Sequence, residues 1–443
     1  MSLIALSKTC KRILIAVFCA CSPCTAYAQD LGARPVFDDL NDQSVKLGQL
    51  LFYDPILSGN RNISCATCHH PKLGTADGVS LSFGEGAIGL GRDRVAEAEN
   101  RPEQRIPRNA PALWNLGASE FTSLFHDGRL EFDATQPDGI RTPLGQDMTA
   151  GFEGILSAQS MFPVLSGDEM AGHYSENEIS TAVRLSQLST SGGAWDRITK
   201  RVMDIPEYQE MFAELYPNKD HIAFTDIANV IADFIRFEWR ADASPFDQAL
   251  QGGAPLPEQA AKGMELFYGK AGCADCHSGW LQTDHQFHSI AMPQFGPGKA
   301  ARFERHARDI GRMRVTGAPE DAYKFRTPSL RNAALSAPYG HNGAYDTLES
   351  IIRHHLDPVK SLYSYNRNQA ILPNFPEAED WRILDDTTEV AAIAESNSLE
   401  PKTLKQDEID QLIAFLNALT DEKAAEGRLG VPKNAPSGLP VDQ

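Results

Sequence analysis

Two short motifs contain the residues of this sequence that are best suited to chemistry. The first reads NISCATCHHP, beginning at Asn62, and the second reads AGCADCHSG, beginning at Ala271. Each contains Cys-x-x-Cys-His. Two thiols at this spacing can lie on one side of a helical turn and add to the two vinyl groups of a haem, while the next residue presents its imidazole to the iron. We therefore expect two covalently bound c-type haems, with these attachment residues and proximal ligands: Cys65, Cys68 and His69 for the first haem, and Cys273, Cys276 and His277 for the second.

The N-terminal segment has the composition of a secretory signal peptide. Positive charges at Lys8, Lys11 and Arg12 precede a short apolar run, and the pattern Ala-Tyr-Ala ends at Ala28, which is typical of a cleavage site. We expect a signal peptide over 1–28 and export to the periplasm. Elsewhere the sequence has no run near the roughly 20 apolar residues that a membrane helix needs, so membrane insertion is not expected.

The cysteine count supports haem attachment. Four of the eight cysteines lie in the segment 1–28, so every remaining cysteine belongs to a Cys-x-x-Cys-His motif. In an oxidising compartment these four could instead form two disulfides. A structural disulfide has no use for a histidine directly after its second cysteine, and here that histidine occurs twice.

Charge and length restrict the class of protein. The formal net charge is −18 and becomes −21 when the three positive charges of the signal segment are removed. Such an acidic chain argues against nucleic-acid binding. With 443 residues in total, the chain is longer than one hydrophobic core usually serves, which predicts more than one domain.

Each haem motif follows a similar phrase, LGQLLFY before the first and KGMELFY before the second, which indicates an internal duplication. Helical spacing of apolar residues predominates and strand-like alternation is scarce. We predict a mainly α fold of two cytochrome-c-like haem domains with long irregular loops. The predicted parts are an N-terminal haem domain over 29–225, a C-terminal haem domain over 226–430 and a flexible tail over 431–443.

Several longer phrases resemble a known family. They are RNAPALWN, FHDGR, AQSMFPVLSGDEM, KFRTPSLRNAALSAPYGHNG and TLESIIRHH. With both haem motifs they are similar to the bacterial di-haem cytochrome c peroxidases and their MauG-like relatives, over nearly the whole mature chain. The phrase GHNGAYDTLESIIRHHLDP is most similar to the methanobactin-associated MauG-like proteins, the MbnH type.

This resemblance implies roles for residues outside the haem motifs. In the family a distal glutamate assists cleavage of peroxide, and the matching positions are Gln159, Pro163 and Glu169, with Glu169 as the acid–base group. The family also holds a calcium ion between the haems with one asparagine side chain and two backbone carbonyls. The matching calcium ligands are Asn109, Ser336 and Pro338.

The sequence also departs from the family pattern. Fourteen residues after His341 the peroxidases place a methionine that ligates the second haem, and MauG-like enzymes place a tyrosine; here the residue is His355, preceded by His354. We expect His277 and His355 to ligate the second haem, which would lower its potential. The alternative is that His354 and His355 are helix-surface histidines with a polar role. The family usually has tryptophan where this chain has His126, so Trp114 and His126 are candidates for relaying charge, although either could be packing.

Conventional peroxidases carry a histidine in the loop after the first haem motif, which blocks the first iron until the other haem is reduced. Here no histidine occurs between His70 and His126. The first haem is therefore predicted to be five-coordinate and open at rest.

Two enzyme functions and one non-catalytic function follow. The first is a MauG-like oxidase in which hydrogen peroxide supplies two oxidising equivalents, stored across both haems, that oxidise an aromatic residue on a partner protein. By resemblance that residue is a tryptophan, converted to kynurenine on a copper-binding partner. The alternative is a periplasmic cytochrome c peroxidase that reduces peroxide with electrons from a small redox protein. The third is a pure electron carrier, against which Glu169 argues.

Overall fold

The structure is a computed structural model that describes residues 31, 33–136, 138–300, 304 and 306–443. The expected signal peptide over 1–28 lies outside the described residues. The α-helices, in chain order, are α1 (Asp42–Tyr53), α2 (Cys65–Cys68), α3 (Ile155–Ser160), α4 (Glu178–Arg184), α5 (Ala194–Met203), α6 (Pro206–Leu215), α7 (Phe224–Glu238), α8 (Pro245–Leu250), α9 (Glu258–Tyr268), α10 (Met313–Thr316), α11 (Leu348–Leu356), α12 (Pro358–Tyr363), α13 (Arg382–Asp385), α14 (Thr387–Glu395), α15 (Gln406–Ala418) and α16 (Glu422–Glu426).

The strands are short and form small antiparallel sheets. They are β1 (Ala87–Ile88), β2 (Val95–Ala96), β3 (Ser123–Leu124), β4 (Leu130–Phe132), β5 (Ile140–Arg141), β6 (Phe287–His288) and β7 (Phe325–Arg326). β1 pairs with β2, β4 lies between β3 and β5, and β6 pairs with β7. The prediction of a mainly helical fold with long irregular connections is confirmed. Within the described ranges, no helix is both long enough and apolar enough to cross a bilayer.

Two long helices cross at the centre of each half of the molecule, α1 with α7 and α9 with α15. A glycine lies at each crossing, at the same position of the repeated phrase. A Cβ atom at Gly48 would lie 1.8 Å from the carbonyl oxygen of Val230, and one at Gly263 would lie 1.8 Å from that of Gln411. Because no other residue permits this approach, the two crossings share one packing solution, as an internal duplication predicts.

A second matched contact ties the chain back to each helix pair. Asn115 and Asn332 both adopt the left-handed conformation, with φ of 59° and 57°. The backbone N–H of Asn115 donates to the carbonyl of Trp239 at 3.0 Å, and that of Asn332 donates to the carbonyl of Leu419 at 3.2 Å. In both halves the asparagine Oδ1 also accepts a hydrogen bond of 2.7 Å. The donor is the backbone N–H two residues after the carbonyl partner, at Ala241 in the first half and at Asp421 in the second. Asparagine suits this position because it tolerates the left-handed region and its side-chain oxygen can accept a hydrogen bond from a remote backbone N–H.

The boundary between the halves differs from the predicted one at 225 and 226, which falls inside α7. That helix buries Ile227 and Phe234 in the same core as α1. The C-terminal core begins with Phe246 on α8 and includes Phe415 on α15. α7 belongs to the first half because its apolar face is the partner that α1 needs, and the division follows α7.

The segment 431–443 also differs from the flexible tail that its Pro and Gly content predicted. The Ser437 hydroxyl donates to Asp54 Oδ1 at 2.6 Å, and the Thr67 hydroxyl donates to Asp442 Oδ2 at 2.6 Å. These contacts are between residues far apart in sequence, which composition does not reveal. The segment therefore lies along the N-terminal half and contacts the first haem motif.

The helix crossing predicts a specific sensitivity to a single methyl group. We expect Gly263→Ala to lower the free energy of unfolding by about 1–3 kcal/mol, because the added Cβ must displace backbone of α15. Glu265→Ala, on the exposed side of the same helix, should change it by about 0.5 kcal/mol or less. Urea unfolding of the two variants measures the difference, and equal losses would show that the crossing is not close-packed.

Candidate active site

Each of the two Cys-x-x-Cys-His motifs forms one short helical turn. The first forms the single turn α2, preceded by Ser64, whose N–H donates to Thr67 Oγ1 at 3.1 Å. The second forms a 3₁₀ turn over Cys273–Asp275. All four cysteines are free thiols rather than disulfides, which leaves both pairs of sulfur atoms available for attachment to haem.

Both motif histidines are oriented by a backbone carbonyl. His69 Nδ1 lies 3.0 Å from the carbonyl oxygen of Thr75, and His277 Nδ1 lies 3.1 Å from that of Gln282. A carbonyl oxygen only accepts, so Nδ1 carries the proton and Nε2 presents its lone pair. Burial lowers the pKa of His69, and burial together with His355 lowers the pKa of His277 to about 4. Both imidazoles are therefore neutral, the form that binds iron.

His355 faces His277 at a spacing that fits one metal between them. The centres of the two rings are 6.3 Å apart. Two metal–imidazole bonds of about 2 Å each, and about 1 Å from each bonded nitrogen to its ring centre, together span about 6 Å. His355 Nδ1 lies 2.8 Å from the carbonyl oxygen of Ile351, so this imidazole also directs Nε2 outward. The residues present thus fit a haem held by two histidines.

The neighbouring His354 is engaged elsewhere. Its Nδ1 lies 2.8 Å from the Tyr345 hydroxyl, and its Nε2 lies 2.8 Å from the carbonyl oxygen of Ile290. Burial, reinforced by the charge that His355 could carry, lowers the pKa of His354 to about 3. With both nitrogens hydrogen-bonded, His354 has a structural role, and of the adjacent pair only His355 faces His277.

Glu169 lies in a tight turn near the first motif. The carbonyl of Ser166 accepts from the backbone N–H groups of Glu169, Met170 and Ala171, at 3.1, 3.0 and 2.9 Å. The surrounding protein raises the pKa of Glu169 by desolvation, while Lys299 and Arg129 partly offset this rise. Its charge also acts on the thiol of Cys68. A carboxylate close to the first motif with a raised pKa is suited to exchanging protons with a reactant bound there.

The two other residues of the predicted distal motif lie just before this turn. Gln159 is in α3, and its side-chain Oε1 is buried without a hydrogen-bond partner. Pro163 begins the 3₁₀ turn Pro163–Leu165 that leads to Ser166. A buried acceptor without a partner is costly, so Gln159 Oε1 marks a place where a hydrogen-bond donor belongs.

Arg108 joins the two halves of the molecule, a role that the sequence did not reveal. Its Nη1 donates to Asp127 at 2.7 Å, and its Nε and Nη2 donate to Asp309 at 2.6 and 2.8 Å. Burial raises the pKa of both carboxyl groups, but Arg108, assisted at Asp127 by Arg129, more than offsets this and holds both pKa values well below their ordinary range. Arg108 and Arg129 together thus balance two buried carboxylates that come from different halves.

His126 lies beside this ion pair, at the contact between the halves. Its carbonyl oxygen accepts from the backbone N–H of Arg326 at 2.8 Å. Burial, Arg108 and His341 lower the pKa of His126 well below its ordinary value, so the imidazole is neutral. Trp114 lies instead in the N-terminal core, 3% exposed, with its indole N–H without a hydrogen-bond partner.

Two cations near these residues fit anionic groups. Burial lowers the pKa of Arg326 to about 10, and among the described residues its guanidinium donates hydrogen bonds only to backbone carbonyls. Burial, Arg129 and Arg108 lower the pKa of Lys299 to about 8. A nearby anion would restore both values, and the propionates of haem are anions of this kind.

Two of the three predicted calcium ligands, Asn109 and Pro338, lie near Val79 and Ser80. Asn109 Nδ2 donates to the carbonyl of Val79 at 2.8 Å. A Cβ at Gly343 would lie 2.6 Å from Ser80 Cα and 3.0 Å from the ring of Pro338. Asn109 and Pro338 therefore both lie close to the segment that contains Val79 and Ser80. Because Nδ2 donates this hydrogen bond, Oδ1 is the Asn109 atom that remains suited to binding a hard cation.

Residues 42–254 match a protein family described as "Di-haem cytochrome c peroxidase". The cytochrome-c peroxidase IdrP2 of Denitromonas iodatirespirans is 31% identical over 342 residues, covering 73% of this chain and 76% of that protein. The chain belongs to the di-haem cytochrome c peroxidase and MauG family. The methylamine utilization protein MauG of Methylorubrum extorquens is 29% identical over 326 residues, covering 73% of this chain and 71% of that protein.

A solved structure is similar over most of both chains. The crystal structure of a MauG-like protein associated with microbial copper homeostasis superposes with a TM-score of 0.60 at 25% identity, covering 89% of this chain and 95% of that chain. Family membership makes this protein an oxidoreductase and implies haem cofactors. The histidine tautomers, the spacing of His277 and His355, and the buried cations are all consistent with that cofactor.

The Arg108 ion pairs predict a large and pH-dependent loss on mutation. We expect Arg108→Leu to lower the free energy of unfolding by about 3–5 kcal/mol, because it leaves the buried carboxylate of Asp309 unpaired and that of Asp127 paired only with Arg129. Asp127 and Asp309 have lowered pKa values. Their contribution is therefore complete above the ordinary carboxyl pKa of about 4 and is lost as the pH falls below it.

Denaturant unfolding of the holoprotein at several pH values measures this loss. A matched control is Arg101→Leu, since Arg101 and Glu377 form an exposed pair with 45% and 57% of their side-chain surfaces accessible. The control should lose less than about 1 kcal/mol. If both variants lost the same amount, or if the difference did not shrink in acid, the buried pairing would not be what holds the halves together.

Proposed function

We propose that this protein is an exported, periplasmic c-type di-haem enzyme that uses hydrogen peroxide to oxidise an aromatic residue, a tryptophan that becomes kynurenine, on a partner protein. The observation that carries the proposal is the pairing of His277 with His355 at 6.3 Å between ring centres. A second site with two strong imidazole donors is suited to storing an oxidising equivalent rather than to accepting electrons from a small cytochrome.

Each haem is proposed to be held by one motif. Cys65 and Cys68 would attach the first haem and His69 would ligate it, while Cys273 and Cys276 would attach the second, between His277 and His355. When bound, the haems supply the redox chemistry of peroxide cleavage and storage of two oxidising equivalents. The protein supplies neutral, oriented imidazoles and two buried cations, Arg326 and Lys299.

Glu169 is proposed as the acid–base group of the first site. In its ionised form the carboxylate accepts the proton from one peroxide oxygen and then delivers it to the leaving oxygen. Desolvation raises the pKa of Glu169 while Lys299 and Arg129 limit the rise, so the group can be both base and acid. Gln159 and Pro163 are proposed to shape the same pocket, where the unpartnered Gln159 Oε1 can accept a hydrogen bond from peroxide.

Charge must then pass between the halves and out to a partner. His126 is proposed to lie on the route because it is at the contact between the halves, next to Asp127. Trp114 is proposed to assist from the N-terminal core. A calcium ion held by Asn109 Oδ1 and the carbonyls of Ser336 and Pro338 is proposed to fix the same junction.

A folded protein is the proposed substrate, because the reaction does not need a deep pocket. Long-range electron removal allows a folded protein to react from the surface, so the partner need only dock. The relation to a MauG-like protein associated with copper homeostasis, similar over 95% of that chain, supports a copper-binding protein as partner.

The alternative function is peroxide detoxification with electrons from a small redox protein. It requires a first site that opens after reduction of the second. The loop between His70 and His126 has no histidine to close that site, and His355 replaces the methionine of the conventional peroxidases. Both features favour the oxidase.

The assignment of the second axial ligand predicts a spectroscopic difference between adjacent histidines. We expect His355→Ala to convert one ferric haem from low spin to high spin, because a strong ligand is removed. His354→Ala should leave the spin state unchanged, since both nitrogens of His354 are engaged with Tyr345 and Ile290. Electron paramagnetic resonance of the ferric variants distinguishes them, and a spin change in the His354 variant alone would reverse the assignment.

The role of Glu169 predicts both a rate loss and an altered pH profile. Glu169→Gln should slow the reaction with peroxide by about 10²–10⁴-fold, the usual contribution of a positioned acid–base group. In the parent enzyme the rate should rise with pH through a pKa above the ordinary glutamate value of about 4.3, and this limb should be absent in the variant. Stopped-flow spectroscopy measures both.

Asp168→Asn is the matched control, since Asp168 bonds to Gln104 at 2.9 Å and its replacement also removes one adjacent negative charge. It should retain the rate within a few-fold. If the two variants were equally slow, charge near the site rather than proton transfer by Glu169 would explain the loss.

A further inference from the structure

One histidine and two glutamates converge beside the backbone of Glu169. Ligand atoms of Glu85, His173 and Glu176 all lie within 4.8 Å of one another. The N–H of Glu85 donates to the carbonyl of Glu169 at 2.9 Å, and His173 follows Glu169 by four residues. The cluster is thus outside the haem motifs but attached to the segment that carries the proposed acid–base group.

Glu85 directs a buried carboxylate oxygen into this cluster. Its side chain is fully buried, at 0% exposure. Oε1 accepts from the side-chain amides of Asn60 and Asn62 at 2.8 Å and of Asn100 at 2.7 Å. Oε2 has no hydrogen-bond partner and lies 3.4 Å from His173 Nε2. A buried charge with one oxygen fully satisfied and the other unpartnered is costly unless something else binds there.

His173 and Glu176 complete the set. Both ring nitrogens of His173 are buried without hydrogen-bond partners. Glu176 is exposed, and its Oε1 accepts from the backbone N–H of His173 at 2.7 Å and from the Asn60 amide. The exposed carboxylate gives the cluster an opening to solvent, while Glu85 and His173 present unpartnered atoms on its inner side.

We propose that Glu85, His173 and Glu176 bind one divalent transition-metal ion of the zinc class. One imidazole and two carboxylates are ligands that zinc accepts at about 2.0–2.2 Å, with water free to take a fourth position. Calcium and magnesium prefer oxygen ligands throughout, and cuprous copper prefers sulfur. Cupric copper would also fit this donor set, so metal availability decides between the two.

A second cluster of potential ligands, Cys276, Asp284 and His288, does not compete with this assignment. Cys276 belongs to the second haem motif, and His288 Nε2 already pairs with Asp284 at 2.7 Å. The ligand atoms of this second cluster are therefore engaged in other interactions.

Metal binding would fasten two segments that meet at Glu169. Glu85 comes from the loop before β1, while His173 and Glu176 follow the turn at Ser166. The N–H of Gly59 also donates to the carbonyl of Met170 at 2.8 Å. The ion would act as a structural clamp on this turn, and His173 would position Glu169 without touching peroxide.

Metal analysis of the holoprotein tests the proposal. The protein is treated with a zinc-selective chelator in a calcium-containing buffer, then dialysed against micromolar zinc chloride, and its haem iron serves as the internal standard. We expect one zinc per two iron atoms. His173→Ala and Glu176→Gln should weaken zinc binding by at least about tenfold, the loss that even an outer-shell change produces. Glu176 is exposed, so its variant tests the site without disturbing the core.

Controls and a second measurement make the result decisive. His221→Ala removes an exposed histidine and His288→Ala disrupts the other cluster, and both should retain one zinc. Zinc should raise the melting temperature of the parent protein but not that of His173→Ala, because only a specific site links binding to folding. If the parent bound no stoichiometric zinc, or if His173→Ala bound it equally well, Glu85 and His173 would contact each other without holding a metal.

Discussion

The arrangement of the molecule depends on one buried cation. Arg108 pairs with both Asp127 and Asp309, and Arg129 also pairs with Asp127, because a charge buried in this environment cannot be left unpaired. Asp127 follows His126 directly, so pairing with Arg108 also fixes the imidazole at the contact between the halves. These ion pairs help to hold the two haem motifs at one relative position, together with an apolar cluster in which Leu81 packs with Met292 and Phe295.

Within that arrangement, two halves with the same scaffold carry different chemistry. Both use a glycine crossing, an asparagine in the left-handed conformation and a proximal histidine oriented by a carbonyl. The second half adds His355 opposite its histidine, and the first has Glu169 near its motif. The residue before the matched asparagine is Trp114 in one half and Arg331 in the other. The two halves thus share one scaffold, and a few residues distinguish the proposed site of peroxide reaction from the proposed site of storage.

The sequence predicted the elements whose signal is local. The haem motifs, the repeated phrases and the helical periodicity all lie within a dozen residues, and the mainly helical fold followed from them. The role of Arg108 could not be inferred from the sequence, because its partner Asp309 is some 200 positions away. The end of the first domain was misplaced because the partnership of α7 with α1 is also remote in sequence. The segment 431–443 was misjudged since single hydrogen bonds such as that of Ser437 to Asp54 leave no compositional trace. The choice between His354 and His355 required the Tyr345 contact.

The central claim is that peroxide reacts with the resting enzyme and that both haems share the oxidation. The most direct test adds hydrogen peroxide to the fully ferric, unreduced protein and follows optical, near-infrared and electron paramagnetic resonance spectra. The proposed function predicts that the high-spin signal disappears at once and that the spectra of both haems change together. If nothing changed until one electron had been supplied to the second haem, the first site would be closed at rest, and the protein would be a reductively activated cytochrome c peroxidase.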